Sequence, residues 1–505
     1  MHWADAFVKD LEGKQTVSTG ISPSGHIHVG NMREILTGYF IHRAFQDSEK
    51  ESRFIYLCDD MDPLRKVYPF LDKAKYEGHV GKPLSMIPAP EGEGAYSDYF
   101  LRPFLDTLEK INVKVEVLKS TELYAQGIFA DAIDTVMNKA GEIREILERV
   151  SGRELADDWS PYNPLCSECG RINSTKVTGY SKPYVEYSCK CGHNGKSDIR
   201  KAEGKMPWRI EWPAKWVVLG VTVEPFGKDH AAAGSSYDTG KEIIEKIFNK
   251  KAPDYLVYER ILLKGAGAMH SSKGNVVSAA DFVQYAPPEI IRFLIARSQP
   301  NRHINFDPGM GLLNLVDEYE KFRNVFFGLE ESPEKDAGRI YELSRIHEEK
   351  QGVHISFRHL VTLVQIYRDE DKLLQALQRS GYTENSLSDD LKNQVNVVNA
   401  WLEKYAPDQV KFSMLPMDAK VELNMQELSL ARAFTHRLDE IQWIPDAIHN
   451  SIHELIKAQN MEPKDGFATF YKILIGKTRG PRLGYFLSNM AMETVRERLA
   501  FVVGT

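Results

Sequence analysis

The sequence predicts an α/β fold, a parallel sheet split by a long insertion, followed by an all-α region. Three observations predict it. A strand, turn, helix and strand open the chain between Lys14 and Cys58. Strand-like runs return only after Lys205, behind helices, loops and clustered cysteines. Beyond Asn301 the apolar residues recur almost entirely at helical spacing. At 505 residues the chain exceeds a single core, so several domains are expected.

The elements follow in order. Lys14 to Ile21 is strand-like, and from Asn31 onward Met32, Ile35, Leu36, Tyr39 and Phe40 fall on one helical face. "RFIYLCDDMDP" then holds an apolar strand from Phe54 to Cys58 that ends in two aspartates and a proline. Ligands of such sheets bind at the carboxyl ends of the strands, where the first turn and Asp59/Asp60 lie. From Leu64 to Lys205 the pattern reads as an insertion and not as continued sheet. "KWVVLGVTV" from Lys215 and "YLVYERILL" from Tyr255 read as strands, with Ile243, Ile244, Ile247 and Phe248 at helical spacing between them. The expected division is 1–66 and 206–300 for the two halves of the sheet domain, 67–205 for the insertion and 301–505 for the helical region. In that last region Leu391, Val395, Val398 and Leu402 share one face, and no fixed-period repeat is visible.

Hydrophobic residues make up 42% and charged residues 27%, and the formal charge is -7. That excludes a generally basic nucleic-acid coat but leaves room for a local basic groove. The start, "MHWADAFVKDLEGK", is charged throughout, so no secretory leader is expected. No apolar run approaches the ~20 residues that span a bilayer. Five cysteines, four of them close together, do not make a disulfide framework. A reducing, cytoplasmic setting is expected.

Several stretches carry chemistry. In "SPSGHIHVGN", Ser22 to Gly25 form a turn, and Gly30 lets the backbone approach a ligand at the start of a helix. Amides and dipole at a helix N-terminus favour an anion such as phosphate, which His28 could also bond. An ordinary strand-to-helix turn would use the same residues. "LKGAGAMHSSKGNVVS", Leu263 to Ser278, is rich in glycine and serine and carries Lys273, which could close over phosphates. In "FGKDH", Gly227 would permit close approach, and Asp229 or His230 could reach ribose, adenine or an amino acid; Asp229 could instead cap a helix. Trp208, Trp212 and Trp216 come at spacing four, but Pro213 is expected to interrupt a helix there. Cys166 and Cys169 form C-x-x-C, and Cys189 and Cys191 form C-x-C beyond residues 170–188. Four thiolates so paired suit tetrahedral zinc in a closed structural site, with His193 as an alternative ligand. Cys58 reads as a core residue.

Together "HVGN" and "AMHSSKGN" resemble the paired motifs of class I aminoacyl-tRNA synthetases, a His-apolar-Gly-His element and a Lys-Met-Ser-Lys-Ser loop. Asn31 replaces the second histidine; Ala268 and Ser271 stand where lysines are frequent, and His270 replaces a serine. "GISPSGHIHVGN", "CDDMDPLRK", "WRIEWPAKW" and "EPFGKDHAAAGSSYDTG" are similar to one branch, the archaeal-type class I lysyl-tRNA synthetases. The resemblance implies a split Rossmann-like catalytic domain, ATP, Mg²⁺, Zn²⁺, L-lysine and tRNA(Lys), with no membrane and a monomeric enzyme. It implies His28, Asn31 and Lys273 as catalytic residues, and Ser22, Gly25, Gly30, Gly227, Asp229, Met269 and Ser272 around the nucleotide. For the amino acid it implies Gly20, Trp208 and His230, with Glu34 as the leading carboxylate for the ammonium and Asp60 as its rival; Arg33 or Arg65 could instead pair with either. "LIGKTRGPRLGYFL" looks like the anticodon-binding helical domain of glutamyl-type class I enzymes. Arg479, Arg482 and Tyr485 are its candidates, near Lys472, Lys477 and Phe486. Two rival readings are a synthetase for glutamate and a tRNA-binding paralogue without catalysis, the second suggested by Ala268 and Ser271.

Overall fold

The computed structural model of the chain describes residues 1–265, 267–268, 277–348 and 354–504. Strand β1 (Gln15–Ile21) runs parallel to β2 (Ser52–Cys58), in register from Gln15 opposite Ser52 to Ile21 opposite Cys58. Helix α1 (Val29–Asp47) connects them, and Met32, Ile35, Leu36, Tyr39 and Phe40 are all buried, as their spacing predicts. The helix lies hard against both strands: a Cβ at Gly38 would fall 2.6 Å from a Thr19 methyl and 2.9 Å from the Phe54 ring. Only glycine permits that approach.

Three further strands complete the sheet. β3 (Glu116–Lys119) pairs parallel with β2, β4 (Val223–Gly227) with β1, and β5 (Asp254–Tyr258) with β4. The order is therefore β5-β4-β1-β2-β3. β3 corrects the expectation that residues 64–205 add nothing to the sheet. It is four residues long and only part-buried, too short to show a period.

Two strand readings are also corrected. "KWVVL" ends helix α2 (Trp208–Leu219), and the strand begins only at Val223, after Gly220 at φ 64 closes the helix. A short buried apolar run has no period to separate helix from strand. "YLVYERILL" is two strands. β5 stops at Tyr258, and Ile261–Leu263 joins a separate sheet with Gly267–Ala268 and Ile304–Phe306. Pro213 lies inside α2 without breaking it, and helix α3 (Ser236–Lys246) packs beside it. A Cβ at Gly240 would come within 3.1 Å of the Trp216 ring.

Between β3 and α2 the chain forms helices, including Ala130–Asn138 and Ala140–Ser151, and an antiparallel sheet of Thr175–Ser181, Tyr184–Cys189 and Asn194–Asp198. A two-residue ladder joins Asn163–Pro164 to Gly204–Lys205.

By contact the chain divides into two compact units: Met1–Val283 with Pro288–Phe306 and Phe322–Glu348, and Gln284–Pro287 with Asp307–Lys321 and Glu349–Thr505. In the first, buried Arg292 donates to the carbonyls of Ile111 (2.9 Å) and Leu343 (2.7 Å), tying helix Ala337–Ser344 to the sheet domain. The second contains only helices as regular elements among its described residues. Their starts carry side-chain caps at Ser356, Asp369, Ser388 and Asn424, and their core includes Leu430, Phe434, Ile448, Phe470 and Phe486.

Candidate active site

The strand order reverses between β1 and β4, and an open α/β sheet binds ligands at such a point. A cavity of about 370 Å³ lies there. Gly20 and Ser22 at the end of β1, Glu34 on α1, Trp208 on α2 and His230 after β4 all line it. It thus brings together five of the residues singled out from the sequence. Gly20 is confined: a Cβ would meet the Leu57 carbonyl oxygen at 3.0 Å. Its N–H donates to Glu34 (3.4 Å).

Asp60 is not among the lining residues, which corrects its place as the rival carboxylate. It is buried and accepts from the Thr121 amide at 2.8 Å. The neighbouring Asp59 lines the cavity instead. Arg33 pairs with neither candidate; it donates to the carbonyls of Gln299 and Pro300 at 3.0 Å each.

One wall is aromatic. Trp208 and Trp212 are 6.0 Å apart, Trp212 and Trp216 5.0 Å, and His230 meets Trp208 and Trp212 edge-on at 5.6 and 5.5 Å. The three tryptophans are one ladder along α2, so the interruption expected at Pro213 is corrected as well. Trp208 is 39% exposed at one end and Trp216 2% exposed at the other.

The acidic residues and lysines sort into a closed network and a separate pair, and Arg65 also lines the cavity. Lys205 contacts Asp62 (2.6 Å) and Glu211 (2.9 Å); Lys215 contacts Glu211 (3.4 Å) and Asp59. Both lysines are buried, as is Glu211. Burial would raise the Asp62 carboxyl, but Lys205 and the Ser22 hydroxyl, which donates to it at 2.5 Å, draw it down to about 2. Glu34 and Glu224 are held only by neutral donors. Glu34 accepts from Gly20 and from the Tyr258 hydroxyl, and Glu224 accepts from the indoles of Trp212 (2.9 Å) and Trp216. Burial first, and then the nearby Glu224, push the Glu34 carboxyl well above its ordinary range. Burial pushes Glu224 up to about 7 against the bonds from the indoles. Glu224 and Tyr258 escaped the sequence reading. Their one signal is that two clustered indole N–H groups need an acceptor.

At the other end of the site His28 starts α1, and its own N–H donates to the Asn31 side-chain oxygen at 3.1 Å. That bond leaves the Asn31 amide donors outside the cap. Residues 277–279, at the end of the glycine- and serine-rich stretch, lie directly against this turn. Val29 N–H donates to the Val277 carbonyl (2.9 Å), Ala279 N–H to that of Ile27 (3.0 Å), and Ser278 bridges His28. Met269, Ser272 and Lys273 lie outside the described residues. Gly25 is buried and Gly30 half-buried. Asp229 pairs with Arg260 at 2.5 Å, whereas helix α3 starts after Ser235, so Asp229 is not its cap. A Cβ at Gly227 would make only ordinary contact, 3.7 Å from the Tyr258 ring.

In the insertion the four sulfurs of Cys166, Cys169, Cys189 and Cys191 all lie within 4.8 Å of one another, with Cys166–Cys191 and Cys169–Cys189 at 3.7 Å. Tetrahedral zinc with ~2.3 Å bonds to sulfur spaces its thiolates about 3.8 Å apart. The donor set fits the metal. Gly170 (φ 68) and Gly192 (φ 95) make the two knuckle turns. His193 is turned to Ser167, with Nε2 3.0 Å from its hydroxyl, and is outside the cluster.

In the helical unit, Arg482 and Tyr485 line a cavity of about 370 Å³ with Asp446, His449, Phe467 and Tyr471. His449 stacks on Phe467 at 5.2 Å and 10°. Arg479 is exposed and outside it. Lys472 pairs with Glu427 (2.6 Å), Lys477 donates to the carbonyls of Asp408 and Lys411, and Phe486 is core. These three are spent on structure, which corrects their grouping with the arginines.

Comparison with known proteins agrees with this arrangement. The family model described as tRNA synthetases class I (K) matches residues 1–347. A lysine--tRNA ligase of Picrophilus torridus is 53% identical over 503 residues, 100% of this chain and 99% of that one. Those of Thermoplasma acidophilum and Archaeoglobus fulgidus are 51% and 43% identical, each over 99% or more of both chains. A solved glutamate tRNA ligase from Elizabethkingia meningosepticum aligns over 98% of this chain at 12% identity, with a TM-score of 0.44. With its parallel sheet, its cysteine cluster and its helical C-terminal region, the chain belongs to the class I (K) family of tRNA synthetases.

Proposed function

We propose that this chain joins L-lysine to tRNA(Lys) with ATP, through a lysyl-adenylate. The observation that carries this reading is the cavity at the sheet's reversal point, where Glu34 and Glu224 stand against an aromatic wall and are bonded only by neutral donors. A buried ammonium needs a carboxylate and gains from an aromatic face. The names of the full-length relatives agree. A glutamate side chain would need a cation there; of those that line the cavity, Lys215 is committed to carboxylates and Arg65 makes no ion pair among the described residues, so the preference for lysine rests on Glu34 and Glu224.

The lysine carboxylate attacks the α-phosphorus of ATP, and pyrophosphate leaves. His28 and the Asn31 amide bond the phosphates at the start of α1, where helix amides and dipole already favour an anion. Ser22, Gly25 and Gly30 shape that turn, and Gly227 and Asp229 flank the nucleoside side. Lys273, in the same sequence stretch as Met269 and Ser272 and five residues before Ser278, which bridges His28, stabilises charge moving toward pyrophosphate. Glu34, Trp208 and His230 hold the lysine over Gly20. The thiolates of Cys166, Cys169, Cys189 and Cys191 would hold zinc as a cross-link of the insertion, and magnesium arriving with ATP would supply neutralisation of phosphate charge. The lysyl group then passes to the terminal adenosine of the tRNA.

Residues 1–66 and 206–300 form the catalytic halves, 67–205 the insertion, and 301–505 the stem and anticodon-binding region. Arg479, Arg482 and Tyr485 contact the anticodon, joined by His449 and Phe467, whose rings offer a base a stacking face. Among the described residues no helix is long and apolar enough to cross a membrane. We place the enzyme in the cytoplasm as a monomer.

ATP–pyrophosphate exchange across the amino acids tests the reading. Lysine is expected to support exchange; exchange with glutamate instead, or with no amino acid, rejects it.

A further inference from the structure

The carboxylates of the cavity differ in what they face. Asp59, Asp62 and Glu211 each contact a buried lysine. Glu34 and Glu224 make no ion pair among the described residues; their oxygens accept from an amide, a phenol and two indoles. Such donors satisfy lone pairs without pairing a carboxylate with a cation, and Lys215 acts on Glu224 only without contact, so a cationic ligand gains most by sitting beside it. Both Glu224 oxygens are fixed, one by each indole, so this carboxylate is held in place before any ligand arrives.

The two carboxylates also sit at different depths. Val223 pairs with Val17, which puts Glu224 level with Ser18 and Phe226 level with Gly20. Glu34 is anchored on Gly20 and on Tyr258, which pairs with Gly227 near the strand ends. Glu224 is therefore about two strand residues, ~6.6 Å, further down the sheet. The reacting carboxylate of the amino acid must face the His28 turn, beyond the strand ends. Its side chain consequently points down the sheet, past Glu34 and toward Glu224.

We propose that Glu224 is a second anionic contact for the side-chain ammonium of the substrate, seated below Glu34, and that it makes the pocket prefer a long cationic side chain to a neutral one with the same carbon chain. The inference rests on the lysine reading above. Burial agrees with it: an empty cavity keeps a proton on Glu224, and an incoming ammonium displaces that proton.

The test uses the full chain and the isosteric Glu224→Gln. In lysine-dependent pyrophosphate exchange its KM for lysine is expected to rise about tenfold or more, with kcat within about threefold, the pattern of lost ground-state binding. The preference for lysine over norleucine, read from norleucine inhibition, should fall by a similar factor. Calorimetry of lysine binding near pH 6, in buffers of different ionisation enthalpy, should show more protons released by the wild type than by Glu224→Gln. A carboxylate that only ties the two indoles together leaves the preference and the proton count unchanged, and that result overturns the proposal. If the variant does not fold, Glu34→Gln decides: with that carboxyl neutralised, a proton still released by lysine and not by norleucine supports the proposal, and equal release overturns it. Absence of any lysine-dependent exchange by the wild type would count against the lysine reading instead.

Discussion

Single residues of this protein do most when they set a charge. Lys273 and His28 act on the same phosphates in the proposed reaction, so each should matter when charge moves toward pyrophosphate and little for the binding of lysine. Lys273→Ala and His28→Ala are each expected to slow single-turnover adenylate formation by ~10²-fold or more, and the double variant less than additively. A change under about threefold in both would reject the roles assigned to them. The Glu34–Glu224 pair predicts a pH dependence. Glu224 titrates near about 7 when folded, against an ordinary 4.5. Between those values the native state keeps a proton that the unfolded chain has released, so stability falls as pH rises, by up to about 3 kcal/mol for this group. Burial shifts Glu34 in the same direction. The Tm without ligand should therefore decline from roughly pH 5 to 8, and lysine should restore most at the upper end. Parallel Tm curves with and without lysine would contradict this.

Elements determine where those residues stand. α1 brings Glu34 and Asn31 to the site because Gly38 lets it lie against β1 and β2, and α2 forms a tryptophan wall despite Pro213. The insertion reaches acids that line the same cavity through Lys205, which pairs with Asn163 in the short ladder and contacts Asp62 and Glu211. The cysteine cluster begins at Cys166, two residues beyond that ladder. Four protein thiolates would leave zinc no open position, so the role we propose for the metal is structural. Cys169→Ser should lower bound zinc and Tm together, with activity falling only as far as the folded fraction does. Metal analysis of chelator-free protein checks the first part, and wild-type protein without zinc would refute it.

At the scale of the whole molecule, the residues we propose for amino-acid activation and those we propose for tRNA selection belong to different compact units. The first unit extends past residue 300: Ile304–Phe306 pairs with Ile261–Leu263, and Leu343 caps the buried Arg292. Cutting the chain at Asn301 would remove both and leave the guanidinium with a lost acceptor, a costly change for a buried charge. Ending it after Glu348 keeps them. The longer fragment is expected to retain weak lysine-dependent pyrophosphate exchange and to lose charging of tRNA(Lys), whereas the fragment ending at Asn301 should not fold cooperatively. Thermal melts and charging assays on the two fragments check this. Unimpaired charging by either would reject an anticodon role for the helical unit.

Much of this was legible in the residues themselves. The β1–α1–β2 unit was, because its apolar residues repeat at clear strand and helix periods. The cysteine cluster was too, because metal-ligand spacing is a local property, and so were Glu34, Trp208 and His230 through the resemblance of their motifs. β3 and the end of α2 were not, since four-residue strands and short buried apolar runs carry no usable period. Which acid matters was also beyond the sequence. Asp60 and Asp59 are neighbours in the chain, yet one accepts the Thr121 amide and the other lines the cavity beside Lys215. Glu224 joins Glu34 only because parallel pairing sets β4 beside β1. Local spacing determines which elements form and which ligand sets are possible. Burial and the choice of partners depend on packing between segments far apart in the chain, so tertiary structure alone decided which carboxylates of the cavity make no ion pair among the described residues.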